Sequence, residues 1–352
     1  MGMDMNIKWG VIGCGGIADR RTIPGMMKAD NAELIAVMDT NPEAAARVGQ
    51  KYGVGYVFQN ADDLLALNQV EAVYIATPVF CHKDQVIAAA KAKKHILLEK
   101  PVGLTTEEAE EMAAVCESEG VKLGVGFMMR FHGCHQKMKE LITEGKLGEI
   151  VSAHAQFTCW YPEMDHCWRQ DKNLSGGGAM MDMGIHCVDL MRCVTGLNAV
   201  EVTGIAGNQV FRYGVEDAGT VLFRMENGAI CCVESNFNIP DAAARCRFEL
   251  YGTKGSILAE GTISQTDSGR MEVLCADDSL GYDAAQDRGE LKPLNVTAQT
   301  GDLYQQEIEA FGNAVINGTE PPVSARDGIQ SQRIIEAAYQ SSQQKRSILL
   351  TQ

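Results

Sequence analysis

Long apolar runs are absent from this 352-residue sequence. No stretch approaches the ~18 to 20 consecutive residues that span a bilayer, so the chain reads as one that is not embedded in a membrane. The segment from Trp9 to Ala18 lacks a basic stretch before it, holds four glycines and runs into Asp19-Arg20-Arg21. It reads as a strand and a turn, not as the core of a signal peptide. Asn6 stands where myristoylation at Gly2 would want Ser or Thr. Basic clusters are also missing. Forty-six acids against 31 Lys and Arg leave a net charge of -15, a field that repels polyanions and argues against a nucleic-acid partner. No Cys-x-x-Cys pair occurs among the 12 cysteines, and His132-x-Cys134-His135 and His166-Cys167 do not repeat at zinc-site spacing, so no metal is expected. The cysteines are spread along the chain, often inside apolar runs such as Ala229-Ile230-Cys231-Cys232-Val233. They are expected to be reduced, mostly buried thiols in a cytoplasmic protein. With 45% hydrophobic and 22% charged residues, disorder and fibrous repeats are poor readings.

The length argues for about two domains. From Lys8 to Val125, short apolar runs alternate with helical patterns, the layout of a parallel sheet. Strands are expected at Lys8 to Ile12, Glu33 to Met38, Tyr56 to Phe58, Ala72 to Ala76, Ile96 to Leu98 and Val121 to Val125. Asn41 with Pro42, and Thr105 with Glu108, mark helix starts, and Pro24 should shorten or kink the first helix. The first strand runs into Gly13-Cys14-Gly15-Gly16-Ile17-Ala18, which fits G-x-G-x-x-A in the strand-to-helix context that a dinucleotide fingerprint requires. Gly13 would make the tight turn and Gly15 would let a pyrophosphate approach. Gly16 and Ile17 lead into a helix whose free N-H groups would face the phosphates. Asp39 closes the second strand, where a carboxylate accepts ribose hydroxyls or caps the Asp39-Thr40-Asn41-Pro42 turn; both roles are compatible. A 2'-phosphate beside it would meet like charge at roughly 4 Å, on the order of 4 kcal/mol at an effective dielectric of ~20, so NAD is expected rather than NADP. Thr77-Pro78 and Glu99-Lys100-Pro101 leave two further strand ends at the same crevice.

The second half changes character. Val200 to Ala206, Thr220 to Met225, Ala229 to Phe237, Arg247 to Tyr251 and Ser256 to Ala259 read as an antiparallel sheet, with hairpin turns at Asn227-Gly228 and Thr253-Lys254-Gly255. Within Thr220 to Met225 one face is apolar and the other mixed; the mixed face either pairs with a second subunit or is buried within the chain. After Gly176-Gly177-Gly178 comes a helical pattern from Ala179 to Thr195. On it Asp182 and His186 are four apart, so the carboxylate can fix the imidazole tautomer while the other ring nitrogen faces a substrate. A capping acid and a satisfied buried histidine is the competing account. Gly184 between them would leave backbone bare where a ligand approaches. Amphipathic helices are expected at Tyr304 to Val315 and Gly328 to Ser341, and residues 276–301 carry no recognisable chemistry.

These motifs together resemble the glucose-fructose oxidoreductase and inositol dehydrogenase family, Gfo/Idh/MocA. The likeness runs through the fingerprint, Asp39, Ala76-Thr77-Pro78 with His82, Glu99-Lys100-Pro101, Arg130-Phe131, Trp168-Arg169, the triple glycine and Asp182-x-Gly184-x-His186. It implies a Rossmann domain, residues 1–126, followed by an α+β domain with a large, mostly antiparallel open sheet, residues 127–352. It also implies a cis bond at Lys100-Pro101, bound NAD and an active-site Lys100 with an Asp182-His186 dyad. Thr77, Pro78, His82, Glu99, Arg130, Trp168 and Arg169 would lie near the cofactor or close the substrate pocket. The loop from Thr158 to Ser175, with Tyr161 and His166, looks like a substrate wall. Many relatives carry Asn directly after the proline of Ala-Thr-Pro, where this sequence has Val79, so a cofactor contact near His82 is expected to differ. The resemblance implies an NAD-dependent dehydrogenase acting on a secondary hydroxyl of a sugar or glycoside, with C3 as a candidate carbon, and a homo-oligomer built through the C-terminal sheet. Rival readings are an inositol dehydrogenase, a redox-neutral glycosidase that keeps its NAD, and a dinucleotide-binding sensor or co-regulator.

Overall fold

The structure is a computed structural model that describes residues 6–276, 284 and 291–350. Gly2 and most of the first half of the 276–301 stretch lie outside the described residues. The chain forms two compact units. One takes the N-terminal part to Met128, Met164–Gly178 and Asp302–Arg333; the other takes Met129–Glu163, Ala179–Gly301 and the remainder from Ile334.

The first unit is built on a six-stranded parallel sheet of β1 (Ile7–Ile12), β2 (Ala32–Met38), β3 (Tyr56–Phe58), β4 (Ala72–Ile75), β5 (His95–Leu98) and β6 (Leu123–Val125). The order β3-β2-β1-β4-β5-β6 reverses direction between β1 and β4, which is where a doubly wound sheet opens a ligand crevice. The central strands are buried on both faces, hence their near-continuous apolar sequence. The helix starts follow the sequence. Asn41 accepts the Glu43 and Ala44 N-H groups, and Thr105 accepts that of Glu108. The Glu108 carboxylate reaches back to the Leu104 N-H at 3.0 Å. After the glycine turn the chain winds as a π-helix over Ala18–Thr22, then as α-helix over Ile23–Met26, with Pro24 in its first turn. The helix Leu303–Asn317 belongs to this unit. Ile308 and Phe311 pack into the cluster of Trp9, Val11, Val37, Tyr74 and Leu97, and the Trp9 and Phe311 rings lie 5.5 Å apart. Gly124 is small because an added Cβ would come within 2.7 Å of the Phe311 ring.

The second unit carries an eight-stranded sheet in the order β13-β12-β11-β7-β10-β9-β8-β14. Its strands are β7 (Ile150–Thr158), β8 (Ala199–Gly207), β9 (Ala218–Met225), β10 (Ile230–Asn236), β11 (Arg247–Gly252), β12 (Gly255–Glu260), β13 (Arg270–Cys275) and β14 (Ile348–Leu349). All pairs are antiparallel except β7 with β10. Three strands, β7, β13 and β14, go beyond the sequence expectation. β7 is central, yet the residues buried in its middle are Ala153 and Ala155, too small to give a strong alternating signal. On β9, Val221, Phe223 and Met225 are buried while Leu222 and Arg224 are exposed. The exposed face also carries Ile205 (74% exposed) and Ile230 (48%), so the described residues do not cover it. A π-helix over Met180–Gly184, continued by α-helix Ile185–Thr195, packs on β7, β9 and β10.

Candidate active site

In the first unit the residues singled out from the sequence follow the carboxyl ends of β1, β2, β4 and β5. Gly13 has φ +98, and its N-H donates to the Met38 carbonyl at 2.8 Å. A Cβ there would lie 2.9 Å from the Ala76 backbone, so both conformation and space demand glycine. Gly15 differs, since nothing lies within 4 Å of its missing Cβ. The turn is therefore a bare backbone cradle that fits a dinucleotide's pyrophosphate. Asp39 is half-buried and fixed by two backbone donors, Cys14 N-H to Oδ2 and Asn41 N-H to Oδ1, both at 2.8 Å. It caps its own turn and ties the glycine turn to the end of β2, with lone pairs left for a ligand.

At the end of β5 the Lys100-Pro101 bond is cis. The Thr22 hydroxyl donates to Tyr74 Oη at 2.9 Å, and the Tyr74 hydroxyl donates to Glu99 Oε1 in a short hydrogen bond. Glu99 Oε2 accepts the Lys100 N-H at 3.3 Å. Burial pushes the Glu99 carboxyl up, against the Tyr74 hydrogen bond and the charges of Lys100 and Arg169. Both cations thus act on one half-buried carboxyl group. Arg169 also stacks over the Trp168 ring, 4.3 Å from its centroid. Behind Glu99 lies a second acid, Glu307, only 2% exposed. Its Oε1 has no hydrogen-bond partner among the described residues, and burial with the charge of Glu99 holds its carboxyl well above the usual range. His82 is a strut: Nδ1 lies 3.1 Å from the Pro101 carbonyl and Nε2 3.1 Å from that of Thr77, joining the loops after β4 and β5. Burial lowers its pKa, keeping the ring neutral. Thr77 donates to Gln85 at 2.6 Å, and Pro78 leads into a 3-10 turn. His166 belongs to this unit, exposed at φ +56.

In the second unit Asp182 sits inside the π-helical turn and His186 in the α-helix that continues it. A π turn near a functional group is a frequent arrangement, since it re-aims one side chain without ending the helix. Asp182 is half-buried and His186 is 4% exposed, its ring edge-on to Phe157 at 6.1 Å. Two residues that the sequence reading passed over set this helix. Glu216, 8% exposed, accepts the Met180 N-H at 2.9 Å and the Tyr339 hydroxyl at 2.6 Å, so it serves as the missing cap. Asp189, on the same helix as His186, grips Arg130 through a two-pronged pair, Nε to Oδ2 at 2.7 Å and Nη2 to Oδ1 at 2.6 Å. Gly184 requires a correction. It is not bare backbone awaiting a ligand, because an added Cβ would lie 2.7 Å from Ser235 Oγ on β10. It is a packing glycine that lets the helix approach the sheet. The Tyr161 ring lies tilted against that of Phe237 at 4.9 Å and, with Phe157, Cys159 and Tyr213, packs around Met183.

No group of three or more His, Cys, Asp and Glu side chains suited to a metal occurs among the described residues, and no described helix is long and apolar enough to cross a membrane. The 12 cysteines are free thiols, five buried and the rest half-buried.

Residues 7–127 match the oxidoreductase family with an NAD-binding Rossmann fold, and residues 135–258 match the GFO/IDH/MocA C-terminal domain. The chain is 29% identical over 325 residues to the 1,5-anhydro-D-fructose reductase of Ensifer adhaerens, covering 92% of each chain. It is 31% identical to oxidoreductase P35 of Formosa agariphila over 77% of this chain and 85% of that one. Among solved structures, the WlbA dehydrogenase from Bordetella pertussis, in complex with NADH and UDP-GlcNAcA, superposes with a TM-score of 0.82 at 26% identity, over 99% of both chains. The fingerprint turn, the Glu99-Lys100-Pro101 edge and these matches agree: this chain belongs to the GFO/IDH/MocA family of oxidoreductases, with an NAD-binding Rossmann domain followed by that family's C-terminal domain.

Proposed function

We propose that this protein is an NAD-dependent dehydrogenase that transfers hydride between a secondary hydroxyl of a sugar or glycoside, with C3 as the candidate position, and a nicotinamide. The observation that carries this reading is the strand end of β5, where Lys100 follows a half-buried, hydrogen-bonded Glu99 and precedes a cis proline. The relatives named for a sugar-derived reductase and for a dehydrogenase in complex with NADH and a nucleotide sugar support the substrate class.

When bound, the nicotinamide supplies the hydride acceptor or donor. The Gly13-Gly15 turn receives the pyrophosphate and Asp39 the adenosine ribose; the fixed Asp39 carboxylate disfavours a 2'-phosphate and selects NAD. Thr77, Pro78, Glu99 and Trp168-Arg169 border the nicotinamide side, with His82 bracing the loops beneath. His186 takes the hydroxyl proton, Asp182 fixes its tautomer, and Lys100 donates to the carbinol oxygen as alkoxide character develops. Tyr161 and His166 contribute to the substrate wall. Arg130, held by Asp189, keeps the helix and the chain before it in register. Twelve free thiols suit a reducing environment, which supports a cytoplasmic location. The uncovered face of the second sheet, with Ile205, Leu222 and Ile230, supports a homo-oligomer built through that face.

The test is a panel of sugars, glycosides and cyclitols with NAD and with NADP, following reduced-nicotinamide absorbance. Turnover with NAD on a sugar or glycoside is expected. Silence on every substrate despite NADH binding would favour a sensor, and product formation without net NADH would favour a redox-neutral glycosidase.

A further inference from the structure

The fingerprint turn holds a glycine that the backbone does not require. Gly16 is not among the residues with positive φ, unlike Gly13. What occupies the place of its missing Cβ is the Arg20 guanidinium, with Nη2 at 2.7 Å, Cζ at 3.0 Å and Nη1 at 3.1 Å. The guanidinium therefore lies against the glycine turn, beside Gly15, whose own Cβ position opens onto empty space. Arg20 is exposed, and no carboxylate pairs with it among the described residues, in a chain where acids outnumber Lys and Arg 46 to 31. The adjacent acid is not available to it. Asp19 is engaged by Arg47 in a short ion pair, by Lys51 at 2.8 Å and by the Tyr52 hydroxyl. A planar guanidinium with free N-H groups, lying at a turn shaped for phosphate, suits two oxygens of a diphosphate.

We propose that Arg20 is a diphosphate-binding residue: its guanidinium forms a fork with the phosphate oxygens of the dinucleotide, and Gly16 is glycine in order to seat that guanidinium. This rests on the dinucleotide-binding reading of the same turn and adds a cationic side chain to a pyrophosphate cradle otherwise made of backbone.

The test is equilibrium binding, read by nicotinamide fluorescence for NADH and by its displacement for ADP-ribose and adenosine. Arg20→Ala should weaken NADH and ADP-ribose by about tenfold, the scale of one charge-assisted hydrogen bond, and leave adenosine, which has no phosphate, unchanged. Arg20→Lys should recover part of the loss. Because the side chain is exposed, the thermal midpoint should not move. Gly16→Ala should weaken NADH in the presence of Arg20 and add little in an Arg20→Ala background. If Arg20→Ala binds NADH and ADP-ribose as the native protein does, or if Gly16→Ala costs the same in both backgrounds, the assignment is overturned. If the native protein binds no NADH, the dinucleotide reading falls and takes the assignment with it.

Discussion

In the first unit the candidate ligand groups sit on turns leaving the ends of parallel strands, whereas in the second they sit on a helix whose seat is set by buried charges. The Gly13 turn needs little: one positive φ, one backbone hydrogen bond to Met38 and a single side chain, the carboxylate of Asp39 across it. The Asp182-His186 helix needs partners far away in sequence, Glu216 over its first turn and Arg130 against Asp189. Backbone-built sites tolerate change around them and carry a short, readable sequence. Sites seated by buried charge fail together with the charge.

Substitutions can break this contrast at either end. The largest effect is expected from His186→Ala, which should lower kcat by about 10² to 10⁴ with NADH affinity unchanged, measured by steady-state kinetics beside a binding titration. Native turnover in that variant would remove His186 from the chemistry. Asp189→Ala comes next. It leaves the Arg130 guanidinium buried without its carboxylate, a loss of about 3 to 5 kcal/mol in unfolding free energy by denaturant titration. A loss below about 1 kcal/mol, the range of an exposed pair, would mean that the ion pair does not seat the helix.

The smallest effect sharpens the picture of the first unit. Glu307 has a native-state pKa raised above its ordinary 4.5 by burial and by Glu99. The folded chain therefore keeps a proton that the unfolded chain releases as pH rises through about 4.5, so Glu307 makes stability fall as pH climbs above that value. Glu307→Gln should flatten the profile, its stability relative to the native protein rising as pH climbs from about 4.5 to 8. Parallel profiles for the two proteins would contradict this.

The sequence made local chemistry legible and left distant chemistry hidden. Gly13-x-Gly15-x-x-Ala18 and the Asn41 cap could be read because each works within a few residues of itself. The strand β7 could not, since Ala153 and Ala155 bury little area and barely mark a periodicity. Nor could the joining of residues 164–178 and 302–333 to the Rossmann unit, which depends on contacts such as Phe311 over Gly124. Glu99 was singled out as part of a motif, yet its partners Tyr74 and Glu307 come from other elements and no spacing announces them. Gly184 shows the limit most clearly. A glycine between an acid and a histidine suggests a ligand, and only the position of Ser235 reveals that the space is already filled.

The central claim is that the ammonium at the end of β5 does chemistry rather than hold the cofactor or the fold. Lys100→Ala, measured for NADH affinity and for single-turnover hydride transfer on a substrate found in the panel, separates these roles. The account predicts affinity within about threefold of native and a transfer rate lower by about 10² or more. Unchanged transfer, or a loss fully explained by weaker NADH binding, would contradict it.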